Sequence, residues 1–132
     1  MRYLLDTNIV SDLIRNPQGR VTERIKKVGE KRVCTSIIVA AELRFGALKR
    51  GSERLTRRVD MVLRALDVIP FETPSDVVYG QLRLKLEEAG QVIGGNDLLI
   101  AAQALSLGHT IVSDNEREFG RINDLPHENW LR

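Results

Sequence analysis

Arg2-Tyr3-Leu4-Leu5-Asp6-Thr7-Asn8 is a short apolar run that ends on an acid and gives way at once to helical spacing, with Ile9, Leu13 and Ile14 on one side as far as Arg15. A strand turning directly into a helix is the unit from which parallel sheets are built, and the same alternation continues along the chain. Asn16-Pro17-Gln18-Gly19 breaks the first helix, and a more charged one is predicted over Arg20 to Val28. Lys31 to Thr35 is a second strand candidate, with Ser36 as the cap of a helix reaching about Lys49. Beyond Gly51-Ser52, a helix with Leu55, Val59, Val62, Leu63 and Leu66 on its apolar side is predicted. Asp67 to Pro70 is an edge strand, since Pro70 cannot donate to a ladder. Thr73-Pro74 opens the next helix, with Thr73 as cap and Pro74 at the first helical position. Gly90, Gly94 and Gly95 mark a loop, Asn96 caps a helix running to Leu107, and Gly108 stops it. Thr110 to Ser113 is a strand, and Asn129-Trp130-Leu131 a last short one.

Strands alternating with helices require long crossovers, so the expected fold is α/β: a small, helix-rich, three-layer α/β/α domain with a central parallel sheet. The 132 residues fit a single domain over 1–132. Hydrophobic residues at 42%, charged residues at 29% and a net charge of +2 exclude a disordered or fibrous chain. Cys34 is the only cysteine, which rules out an intrachain disulfide and a cysteine-built zinc site and agrees with a cytoplasmic location. An acid at position 6 precedes any signal-peptide apolar stretch, and no run approaches the ~18 apolar residues of a membrane span. Neither export nor membrane insertion is expected.

In open parallel sheets, sites form in the crevice outside the carboxyl ends of the strands. Asp6 ends the first strand. Glu42 lies in the helix after the second, where its neighbours three and four residues away are Ile38, Val39, Phe45 and Gly46, so its charge is expected on a core-facing stripe. Asp97 stands beside the cap of Leu98-Leu99-Ile100-Ala101-Ala102-Gln103-Ala104-Leu105, a helix apolar nearly all round. Each acid alone has an ordinary explanation: a turn residue at Asp6, an ion pair at Glu42, a favourable helix-terminal charge at Asp97. Taken together they suggest convergence, and converging carboxylates repel unless a cation neutralises them. All-oxygen ligands select a hard ion, Mg²⁺ or Mn²⁺, suited to phosphodiester hydrolysis. Ser113-Asp114-Asn115-Glu116-Arg117-Glu118-Phe119 reaches the same edge, with Ser113, Asp114, Asn115 and Glu118 all open as contributors.

Leu4-Leu5-Asp6-Thr7-Asn8, Ala41-Glu42-Leu43-Arg44-Phe45-Gly46, Gly95-Asn96-Asp97-Leu98-Leu99-Ile100-Ala101-Ala102 and Val112-Ser113-Asp114-Asn115-Glu116-Arg117-Glu118-Phe119, in this order and spacing, resemble the PIN-domain toxins of bacterial VapBC-type toxin–antitoxin modules. The resemblance implies a PIN-like fold and a Mg²⁺- or Mn²⁺-dependent endoribonuclease, with Asp6, Glu42 and Asp97 as catalytic and metal-holding residues. Asn115 takes the place where part of the family has an Asp, and Glu118 is the further acid available there. The resemblance also implies RNA substrates (tRNA, rRNA or mRNA), a homodimer, and neutralisation by a cognate VapB-type antitoxin, with operator DNA contacted only through that antitoxin.

Arg44, Lys49, Arg50, Arg54, Arg57 and Arg58 offer either a phosphate track or a solvated helix face. His109 and His127 are the only histidines, and His109 begins a strand at the edge away from the acids, so surface roles are expected. Trp130 is expected to be a packing anchor. Of the rival readings, a phosphoacceptor receiver domain wants a lysine on a late strand, and none follows Lys85. An aspartyl phosphatase wants an acid two places after the first, where Asn8 stands. A non-cleaving PIN-like binding domain is the remaining alternative.

Overall fold

The computed structural model describes residues 2–132. Strands β1 (Tyr3–Leu5), β2 (Val33–Ser36), β3 (Asp67–Ile69), β4 (Thr110–Val112) and β5 (His127–Glu128) form one sheet in the order β3-β2-β1-β4-β5, and every pairing is parallel. Among the described residues seven helices flank it: α1 (Thr7–Arg15), α2 (Arg20–Val28), α3 (Ile37–Arg50), α4 (Glu53–Ala65), α5 (Ser75–Glu88), α6 (Gly95–Leu107) and α7 (Glu116–Phe119). Helix α1 packs on α2, α3 and α4, while α5 lies along α6. This is the three-layer α/β/α architecture expected from the alternation. No described helix is long and apolar enough to cross a membrane.

The strand order has one functional consequence. From β1 the chain builds outward to β2 and β3, then returns to place β4 on β1's other side, so the topological switch lies between β1 and β4. At such a point the connections leave in opposite directions and open a crevice at the carboxyl ends of the two strands. The strands are only two to four residues long, yet Leu4, Leu5, Cys34, Ile111 and Val112 are fully buried, as expected for a sheet covered on both faces. Val39, Ile100, Ala101 and Ala104 from the covering helices complete the same core.

Several boundaries differ from expectation for local reasons. Lys31 and Arg32 belong to a 3-10 turn, Glu30–Arg32, which delays β2 to Val33. Ser36 does cap α3, accepting from Ile38 N at 3.0 Å. Thr73 does not cap α5; Pro74 is the residue flanking that helix, which begins at Ser75 without a side-chain cap. Asn96 lies inside the first turn of α6, with Gly94 as the flanking residue, whereas Gly108 at φ 69° ends α6 as predicted. The last strand is His127–Glu128, not Asn129–Leu131. Trp130 is displaced from the ladder because it is packed instead: it is 1% exposed, its ring centroid is 5.3 Å from that of Tyr3, and its indole N–H donates to Glu128 Oε1 at 2.9 Å.

Gln103 is a polar residue that helical periodicity does not single out. Fully buried on α6, it donates through Nε2 to the Ile69 and Pro70 carbonyls at 3.2 and 3.0 Å. These are the carbonyls where edge strand β3 ends, and no parallel neighbour lies beyond them. Gln103→Leu leaves both without that donor and is expected to lower unfolding free energy by about 1–3 kcal/mol in a urea melt. An unchanged midpoint would show that the tie contributes nothing.

Candidate active site

The crevice between β1 and β4 is lined by short segments, each fixed by a different element. Asp6 follows β1, its backbone N–H held by Val112 O at 2.9 Å, and it flanks the start of α1 with extended backbone. Its side chain is 3% exposed. Oδ2 accepts a short bond, 2.6 Å, from the Ser113 hydroxyl at the end of β4, while Oδ1 is buried with no hydrogen-bond partner. A buried carboxylate oxygen without a donor is costly unless the group is protonated or faces a cation.

Asp97 enters from the first turn of α6. Asn115 bridges it to Glu118: its side-chain amide donates to Asp97 Oδ2 at 2.7 Å and to Glu118 Oε2 at 2.9 Å. Glu118 is further fixed by Gly94 N–H at 3.2 Å, and the Asn115 N–H bonds the Ser113 hydroxyl at 2.9 Å. One chain of hydrogen bonds therefore runs from Asp6 through Ser113 and Asn115 to Asp97 and Glu118. Glu42 approaches from α3, where Oε1 accepts from the Thr7 hydroxyl at 3.1 Å.

Electrostatics describe one acidic cluster. Burial pushes the Asp6 carboxyl above its ordinary range; hydrogen bonding from the Ser113 hydroxyl and the Thr7 backbone opposes this, and the charges of Glu42 and Glu118 add to it. Asp6 thus feels both flanks of the crevice. Asp97 is pushed up to about 8, first by burial, then by its hydrogen bond to Glu118 and by the Asp6 and Glu118 charges, against the opposing Asn115 bond. Glu118 is held below its usual value, chiefly because Asp97 donates to it. The raised Asp97 and lowered Glu118 mark a pair in which Asp97 is the carboxyl that holds a proton the more tightly.

The structure changes the reading of Glu42 and narrows the choice left open among Ser113, Asp114, Asn115 and Glu118. Glu42 sits at the margin of the core-facing stripe rather than within it: it is half-buried, between Val39, fully buried three residues before, and Phe45, 66% exposed three residues after. Asp114 turns away from the crevice, its carboxylate accepting from Asn129 at 2.9 Å and its N–H bonding Asn8 Oδ1 at 3.0 Å. Ser113, Asn115 and Glu118 face the acids. The supporting roles of Thr7 and Asn8 are invisible to periodicity, although their place just after a strand-ending acid puts them at the crevice. A surface recess of about 770 Å³ opens instead at the far end of α1, beside Asn16 and Leu131.

Among the described residues no three His, Cys, Asp or Glu side chains form a ready-made metal cage. Mg²⁺ seldom asks for one, since it keeps several waters and takes one or two carboxylates together with substrate phosphate oxygens. The orphaned Asp6 Oδ1, the all-oxygen donor set and the raised Asp6 and Asp97 carboxyls fit a hard divalent cation on those terms.

The fold and the crevice define an α/β domain with a carboxylate site at its topological switch. Residues 3–125 match the PIN domain family. The chain is 38% identical to Ribonuclease VapC2 of Rickettsia felis, with 98% of each chain covered, and 33% identical to the tRNA(fMet)-specific endonuclease VapC of Shigella flexneri, again over 98% of each. Its fold superposes with a TM-score of 0.91 on the crystal structure of VapBC2 from Rickettsia felis bound to a DNA fragment from their promoter, at 37% identity over 98% of this chain and 99% of that one. The chain belongs to the PIN-domain family, among the VapC ribonucleases.

Proposed function

We propose that this protein is an endoribonuclease that hydrolyses phosphodiester bonds at the β1/β4 crevice and acts as the toxin of a cytoplasmic toxin–antitoxin pair. The observation that carries the chemistry is the Asp6 carboxylate, buried, with one oxygen fixed by Ser113 and the other without a partner beside Asp97 and Glu118. Asp6, Asp97 and Glu42 would hold Mg²⁺ or Mn²⁺. The bound ion would supply Lewis-acid polarisation of the phosphate and activation of water for attack at phosphorus. The chain's own residues do the positioning. Ser113 fixes the Asp6 carboxyl, Asn115 holds Asp97 and Glu118 in one arrangement, Thr7 orients Glu42, and Glu118 adds charge to the rim.

The relatives' names support RNA as substrate, with tRNA, rRNA and mRNA all within the class. The similarity to VapBC complexes, one of them bound to promoter DNA, supports a VapB-type antitoxin as partner, and the homodimer and operator contact made through the antitoxin rest on the family resemblance. The test is transcriptome-wide mapping of RNA ends after brief expression of the active protein and of Asp97→Asn. New ends confined to the active protein are expected; identical end profiles would reject ribonuclease activity.

Ser113 gives a finer prediction. Ser113→Ala removes the donor to Asp6 and the acceptor of the Asn115 N–H, and cleavage is expected to fall about 10- to 100-fold, as for groups that orient metal-holding residues. Unaltered turnover would remove Ser113 from the positioning network.

A further inference from the structure

The six basic residues around α3 and α4 do not share one fate. Arg44 is drawn to Asp60 at 3.4 Å, Arg57 lies 3.9 Å from Glu53, and the Lys49 ammonium lies over the Phe45 ring, 5.9 Å from its centroid. The other three, Arg50, Arg54 and Arg58, line one recess of about 240 Å³ with Ser52 and Leu55, where α3 turns into α4. Among the described residues none of the three side chains has an ion pair or hydrogen bond to the protein.

Three guanidinium groups share this recess, and no carboxylate lines it. Arg58 is half-buried beside two further guanidinium groups. Arg54 stands in the first turn of α4, at the positive end of the helix dipole, where cations are disfavoured. Planar guanidinium donors converging on a concave surface match phosphate oxygens. The recess is also connected to the acidic crevice by α3 itself. Glu42 and Arg50 are eight residues apart on one helix, about 12 Å along its axis. One nucleic-acid strand carries a phosphate about every 3.4 Å of axis, so about four phosphate steps span that distance, more than the three phosphodiesters of a tetranucleotide provide.

We infer that Arg50, Arg54 and Arg58 form a phosphate-binding site for the RNA backbone, holding the substrate a few nucleotides from the bond that is cut. This rests on the ribonuclease reading and adds where the strand lies. The site is sequence-independent, because guanidinium–phosphate contacts read charge and spacing rather than base identity. It contributes to substrate binding and leaves the chemistry at the crevice unchanged.

The test compares wild type with Arg50→Gln/Arg54→Gln/Arg58→Gln on bulk tRNA and on a tetranucleotide too short to span crevice and recess. On bulk tRNA the variant's KM is expected to rise on the order of 100-fold at about 0.1 M salt with kcat unchanged, and the slope of log affinity against log salt to flatten by about 2. The tetranucleotide is expected to be cleaved equally by both proteins. Replacing the same three residues with Lys, which keeps the charge, is expected to restore the salt slope. An unchanged KM and slope on tRNA overturn the proposal and leave the arginines to a protein partner. An equal loss on the tetranucleotide also overturns it, because the recess would then act through the crevice. If wild type cleaves neither substrate and leaves no new ends in the transcriptome-wide mapping, the ribonuclease reading itself fails.

Discussion

Asp6→Asn is expected to abolish RNA cleavage, by at least about a thousandfold or about 4 kcal/mol of transition-state stabilisation, while the protein stays folded. The substitution is nearly isosteric, so the side chain can still accept from Ser113 through its carbonyl oxygen. What it removes is the charge at Oδ1, the buried oxygen that no protein donor reaches. Asp97→Asn should be equally inactive. Both carboxyls are raised by burial and by neighbouring acids, so Asp6→Asn relieves repulsion in the ion-free protein, and Asp97→Asn replaces a carboxyl that already favours its neutral form. The thermal midpoint should therefore hold or rise as activity disappears, the trade expected where a site is strained for function. Activity and melting temperature measured on the same preparations check this. Loss of both together would mean that the acids are structural, and retained cleavage would remove them from the site.

Divalent ions should stabilise the wild-type protein in a pH-dependent way. Asp97's folded value, about 8, lies above the ordinary aspartate value of 3.8. Its protonated form therefore favours the native state fully below the lower value, and that contribution is lost as pH rises through the upper one. Ion-free protein should accordingly lose stability across this window. Mg²⁺ or Mn²⁺ competes with the proton for the carboxylate and should raise the melting temperature more at about pH 9 than at about pH 5. Asp97→Asn should flatten both trends. Differential scanning fluorimetry across pH, with and without the ion, reads each outcome; a shift that is equal at all pH values would place the ion elsewhere.

Much of the fold was legible because its signals are local. Apolar runs at Leu4-Leu5 and Ile111-Val112 mark buried strands, Ser36 caps α3, Pro70 follows an edge strand, and Gly108 ends α6. The misplaced boundaries, at Thr73, Asn96 and Asn129–Leu131, are places where a good local signal competes with packing. Trp130 shows this best, since burial against Tyr3 takes precedence over a place in the ladder. Periodicity could place acids on helix faces but could not say what covers each face, so Glu42 was assigned to a stripe that proves half open. The hydrogen-bond chain through Ser113 and Asn115 joins residues more than a hundred positions from Asp6, and only the β1/β4 pairing makes it visible. The choice among Ser113, Asp114, Asn115 and Glu118 likewise depends on side-chain direction after β4.

The most direct measurement is cleavage of bulk tRNA by the purified, antitoxin-free protein, first in excess chelator and then after Mg²⁺ or Mn²⁺ is restored. A carboxylate crevice that works by holding a hard cation predicts no cleavage in chelator and recovery with either ion. Undiminished cleavage in excess chelator would contradict it.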